Sequence, residues 1–131
     1  MKTKTLLAIL AASVMTAACV KSGKNADLQN EQRMKKIIAA HLTLKPEMID
    51  RFINDTKELI EQSRAEEGCI SYTLYQNPSE PTEFIFFEEW KNQDAIEFHF
   101  ATPHYQAFDK AAGDYVAAPP VVTIYNVASE K

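Results

Sequence analysis

Residues 34–127 predict a small α+β domain in the order β-α-β-β-α-β. Three observations carry this. Apolar, strand-like runs occur four times, a long stretch of helical periodicity separates the first from the second, and the turn-rich NPSEPT joins the second to the third.

MKKIIAAHLTL (34–44) is rich in branched apolar residues and is the first expected strand. It ends at Lys45-Pro46, and a proline suits the first turn of a helix. From there Met48, Ile49, Phe52, Ile53, Leu59 and Ile60, completed by Thr56 and Ser63, recur at helical spacing. One long amphipathic helix with one buried face follows. Glu47 and Asp50 favour its N-terminus through the dipole, and Gly68 marks its end.

CISYTLYQN (69–77) alternates, with Ile70, Tyr72 and Leu74 facing one way and Ser71, Thr73 and Tyr75 the other. EFIFFEEW (83–90) puts Phe84, Phe86, Glu88 and Trp90 on one face and Ile85, Phe87 and Glu89 on the other. The two runs predict an antiparallel hairpin. Asn92 is placed to cap a short helix over NQDAIEFHFA. Thr102 caps a second helix running to about Tyr115, and Pro103 at its first position bends the path between them. PPVVTIYNV (119–127) is the last strand. This order is the split-βαβ, ferredoxin-like pattern, with helices over one face of a four-stranded antiparallel sheet. Apolar residues also occupy the second face, which calls for a partner sheet and hence a homodimer.

The ends carry a different signal. MKTKTLLAILAASVMTAAC has two lysines, an apolar run too short to span a bilayer, and small residues before Cys19. Residues 1–18 are expected to be a signal peptide, and Cys19 the lipidated first residue of the mature chain. Thr16 stands where such lipidation signals usually have leucine, and plain cleavage after Ala18 is the alternative. The polar stretch 19–33 is expected to be a flexible tether to one domain, residues 34–131. Localisation is then the cell envelope, with membrane contact only through the anchor.

The chain carries a formal charge of −4, which becomes −6 once Lys2 and Lys4 leave with the signal. An acidic surface argues against nucleic acid and against anionic lipid as partners. Cys69 alone would remain in the domain, so no internal disulfide forms, and its strand position is that of a small core residue.

EEGCISYTLYQNP followed by FIFFEEWKNQDAIEFHFATPHYQAF resembles the antibiotic biosynthesis monooxygenase family, including its quinol monooxygenase members. The strongest part is EEW, a short helix, His99, then Thr102-Pro103-His104 and an aromatic. The resemblance spans about Lys35 to Val127. It implies a dimeric α/β barrel whose two sheets pack face to face. The family holds cofactor-independent oxygenases of anthrones and quinols, haem-degrading enzymes and isomerase-like members, so its fold leaves the reaction open. Haem-degrading members carry an asparagine in the first strand, and none lies between Met34 and Leu44 here. No cofactor is expected.

A cofactor-free oxygenase needs an apolar chamber for a flat ring, a base of near-neutral pKa and donors for the oxyanion. The resemblance points to His99, His104 and Trp90 as the catalytic set. Trp90 supplies a flat wall and an N–H, and Tyr72 or Tyr75 a hydroxyl donor. Tyr72, Phe86 and Phe100 are the expected substrate-binding residues. Ala95, Ile96 and Phe100 form the expected inward stripe of the first short helix, with His99 at its border. His41 alternates with Ala40 and Leu42 and is expected on the opposite sheet face from Leu42. His99 and His104, five apart across a proline, make a poor chelate with no third ligand in view, so no metal is expected. The substrate class is then a small aromatic plus O2. The competing readings are a lipid-anchored dimeric module that binds a small apolar ligand without turnover, and a purely structural dimer.

Overall fold

The structure, a computed structural model, describes residues 22–129. The expected signal segment 1–18 and Cys19 lie outside the described residues. Four strands, β1 (Lys36–Thr43), β2 (Cys69–Gln76), β3 (Glu83–Trp90) and β4 (Val121–Asn126), form one antiparallel sheet in the order β2-β3-β1-β4. Four α-helices accompany it: α1 (Ser22–Arg33), α2 (Ile49–Arg64), α3 (Gln93–Ala101) and α4 (Pro103–Tyr115). This is the expected α+β, ferredoxin-like arrangement.

The segment expected to be a flexible tether is instead helical over Ser22–Arg33. The helix has almost no apolar content, so side-chain contacts rather than burial tie it down. Gln32 donates to Asp94 Oδ1 across 3.1 Å, and Lys36 Nζ, buried at the sheet end, donates to the Glu31 carbonyl at 2.8 Å.

The alternation read in the strands places one face of the sheet on the helices. Lys36 pairs with Trp90, Ile38 with Glu88, Ala40 with Phe86 and Leu42 with Phe84, while Tyr72 pairs with Glu88 and Leu74 with Phe86. Ile70 departs from its expected face. A register shift between Cys69 and Ser71 turns it out, leaving it half exposed. Phe52 of α2 is fully buried and sits at the centre of the core, its ring meeting Phe84, Phe86, Phe108 and Tyr115 at 5.5–6.3 Å. Burying such a side chain contributes about 1.5–3 kcal/mol.

On the other face, Ile37, Ala39, Ile85, Phe87, Tyr75, Val121 and Tyr125 lie under no described element. Among these Tyr75, Val121 and Tyr125 are more than half exposed. His41 is on this face and exposed, as its alternation predicted.

Two local features aim the site. Helix α2 ends at Arg64, four residues before Gly68, and residues 65–68 turn the chain into β2. Gly68 lies so near α3 that a Cβ there would stand 2.3 Å from the Ala95 Cβ. Only glycine permits that approach, and it brings the 65–68 turn against α3. Between α3 and α4, the Thr102 hydroxyl donates to the His99 carbonyl at 2.6 Å and accepts from the Tyr105 N–H at 3.3 Å. With Pro103 at the first helical position, this is the bend the sequence predicts.

Candidate active site

The 65–68 turn delivers Glu66 to both histidines. Glu66 Oε1 lies 2.7 Å from His99 Nδ1 and 2.6 Å from His104 Nε2. The side chains of Glu66 and His99 are 5% and 0% exposed, and that of His104 12%. The bend at Pro103 brings the two imidazoles to 5.9 Å between ring centres. The expectation that no third group accompanies the histidines is corrected here. Glu66 comes from 33 residues upstream, at the end of a different helix, and no local spacing advertises it.

Burial lowers the pKa of the His99 imidazole below its ordinary value, against the opposing pull of Glu66. The ring is therefore neutral at pH 7, with a single N–H. A carboxylate only accepts, so that proton sits on Nδ1, facing Glu66. Nε2 is left with its lone pair. It is buried and has no hydrogen-bond partner among the described residues, and the same holds for Glu66 Oε2.

The His99 ring packs among aromatics, 4.5 Å from the Trp90 indole, 4.9 Å from Tyr105, 5.5 Å from Tyr72 and 5.8 Å from Phe100. The expected residues thus come together: Trp90, His99, Tyr72 and Phe100 directly, with Phe86 5.5 Å from Tyr72. His104 joins from the outer side through Glu66. Tyr75 is on the opposite sheet face and takes no part.

Two expectations are corrected. The open chamber walled by Trp90 is closed, because aromatic side chains fill the space between sheet and helices. Trp90 and His99 are fully buried and Tyr72 is nearly so. Two open grooves border the site, one of about 710 Å3 lined by Glu66, Thr102, Pro103 and His104, the other of about 370 Å3 between α2 and α4. Neither is lined by Trp90 or His99. The Trp90 N–H, expected as a free donor, is taken by Glu88 Oε2 at 2.9 Å. Tyr72 also hydrogen-bonds Glu88.

Glu88 is the second residue that sequence reasoning missed, although its signal was present: an acid sharing a strand face with Phe84, Phe86 and Trp90. Burial raises its pKa to about 7, against the stabilising hydrogen bonds from Trp90 and Tyr72, and the charge of Glu66 adds to the rise. At neutral pH its carboxyl is divided between acid and carboxylate. Cys69 is half-buried, and burial lifts its thiol pKa to about 11, so it is no nucleophile at neutral pH.

The site therefore combines a carboxylate-held imidazole with a free inward nitrogen, a buried carboxyl that titrates near neutrality, and flat aromatic walls. Solved structures share the fold that carries it. One, a conserved protein of Methanosarcina mazei, superposes with a TM-score of 0.69 at 28% identity, covering 75% of this chain and 97% of its own. Residues 37–111 match the antibiotic biosynthesis monooxygenase family, and the chain belongs to it.

Among relatives, an uncharacterised protein of Synechocystis is 38% identical over 92 residues, which is 70% of this chain. The chain spans only 63% of that relative's length. YcnE of Bacillus subtilis, whose monooxygenase activity is itself an inference, is 34% identical over 63% of this chain and 87% of its own. A Klebsiella pneumoniae isomerase of 4-hydroxy-5-phosphonooxypentane-2,3-dione is 26% identical over 63% of this chain and 85% of its own.

Proposed function

We propose that the chain is a cofactor-independent monooxygenase of a quinol or similar small aromatic. The observation that carries this reading is the inward Nε2 of His99, unpartnered and ringed by aromatics, on an imidazole held by Glu66. An imidazole whose Nδ1–H is committed to a carboxylate acts as a base at its other nitrogen. Nε2 takes the phenolic proton, and the resulting phenolate passes an electron to O2. One oxygen atom bonds to the ring and the other leaves as water, so a quinol and O2 give a hydroxyquinone and water. The substrate supplies all the electrons. Glu88, as the acid, donates to the developing oxyanion, a role open to a buried carboxyl kept partly protonated at pH 7. Trp90 and Tyr72 flank the ring. Substrate reaches them by displacing Phe100 and Tyr105, which are only half-buried over His99.

The same base and acid, placed on either side of a hydroxyketone, serve an isomerase, and the Klebsiella relative favours keeping that reading in view. The closed packing of the rings favours a third, a module that binds a small apolar ligand without turnover.

Metal-stripped protein in an oxygen electrode separates them. The oxygenase takes up O2 with a quinol, and His99→Gln abolishes the uptake. Quinol binding with no uptake by the native chain would leave the module.

The assembly and location that fit this reading are a homodimer through the uncovered sheet face and a lipid anchor at Cys19. These would hold the site in the cell envelope, close to membrane quinols.

A further inference from the structure

We propose that Glu66, His99 and His104 form a site for a divalent first-row transition ion, of the zinc or cobalt class, and that its occupancy switches the His99 base off. One ligand atom from each of the three residues lies within 4.8 Å of the other two. Two imidazoles and one carboxylate are the donor set that suits such ions.

Three observations beyond the cluster support it. Glu66 Oε2 is buried, on a side chain 5% exposed, and has no partner among the described residues, so a second carboxylate oxygen is available to the ion. The groove of about 710 Å3 is lined by Glu66 and His104 and gives an entry path from solvent. The supports are rigid: Thr102 binds the His99 carbonyl, and Gly68 packs the Glu66 turn onto α3. In the hydrogen-bonded state Glu66 Oε1 contacts both imidazoles. An ion replaces both contacts, with metal–ligand bonds of about 2.0–2.2 Å.

Coordination uses the lone pair at His99 Nδ1, so the proton there moves to Nε2. His104 offers Nε2 to the same ion. The inward nitrogen of His99 becomes a donor and cannot accept a proton. Binding itself does not depend on the function proposed above. Only the inhibition rests on it.

The test is a titration of the metal-stripped chain with Co2+, followed by its visible absorption and by equilibrium dialysis, without substrate. One Co2+ per chain is expected. Binding should weaken more than about tenfold in Glu66→Gln and in His104→Ala, since even losing a supporting contact of a ligand costs that much. It should persist in His41→Ala and Cys69→Ser. Circular dichroism and a thermal melt confirm that each variant folds, and His104→Ala, at the outer edge of the cluster, is the variant that disturbs the core least. No Co2+ uptake by the native chain, native-like affinity in both Glu66→Gln and His104→Ala, or binding lost with His41 or Cys69 would overturn the site. With O2 uptake established, full activity at saturating Co2+ would overturn the inhibition.

Discussion

Replacing Glu66 with alanine removes one oxygen that two buried imidazoles share. Its bonds to His99 Nδ1 and His104 Nε2 are 2.7 and 2.6 Å long, and the three side chains are 0–12% exposed. A buried donor left without an acceptor costs about 1–3 kcal/mol. His104, at the edge, recovers part of its share from water, and loss of a buried carboxylate offsets some of the rest. A net destabilisation of about 2–4 kcal/mol results. For a domain of this size about 1 kcal/mol corresponds to roughly 4 °C in Tm, so Glu66→Ala should melt about 8–16 °C lower. Glu66→Gln keeps a carbonyl for both N–H groups and loses only the charge assistance, about 1 kcal/mol. Urea unfolding followed by circular dichroism measures both. Glu66→Ala within about 0.5 kcal/mol of the native chain, the range of a neutral surface change, would refute the idea that Glu66 anchors the histidines.

Glu88 makes stability depend on pH. Its folded pKa, raised to about 7, lies above its ordinary value of 4.5. The contribution is therefore complete below pH 4.5 and lost as pH rises through 7, amounting to about 3 kcal/mol. Glu88→Gln should raise the urea midpoint at pH 8 and leave it little changed at pH 4. Phe52→Ala, which empties the centre of the ring cluster, should cost about 3–5 kcal/mol in the same assay. Gly68→Ala should push the 65–68 turn away from α3 and lower Tm, with Ala95→Gly restoring part of the loss because the Cβ it would strike is Ala95's.

Element order, helix faces and the bend at Thr102-Pro103 were legible because each rests on local chemistry. Period-two and period-3.6 patterns assign Phe84, Phe86 and Phe52 to the core, and a capping hydroxyl followed by proline starts α4. His99 and Trp90 were legible as a pair through motif resemblance. Glu66 was not, since an acid in EEG at a helix end has the look of a solvated surface residue. Its burial depends on Gly68 packing against Ala95, a contact between segments far apart in sequence. The closed interior was equally hidden. An aromatic-rich sequence gives the wall of a chamber and its filling the same residues, and only the packing of Phe52, Phe86, Phe108 and Tyr115 tells them apart. The bulge at Ile70 and the helix over 22–33 carry no apolar period that would announce them.

Nitrogen NMR of the metal-free chain, with the three histidines assigned by substitution, reads the tautomer of His99 directly. A proton on Nδ1 and a bare Nε2 are expected at pH 7, with the Nδ1 proton shifted far downfield by Glu66 and that shift diminished in Glu66→Gln. A proton on Nε2, or a doubly protonated His99 ring at that pH, would leave the interior without its base.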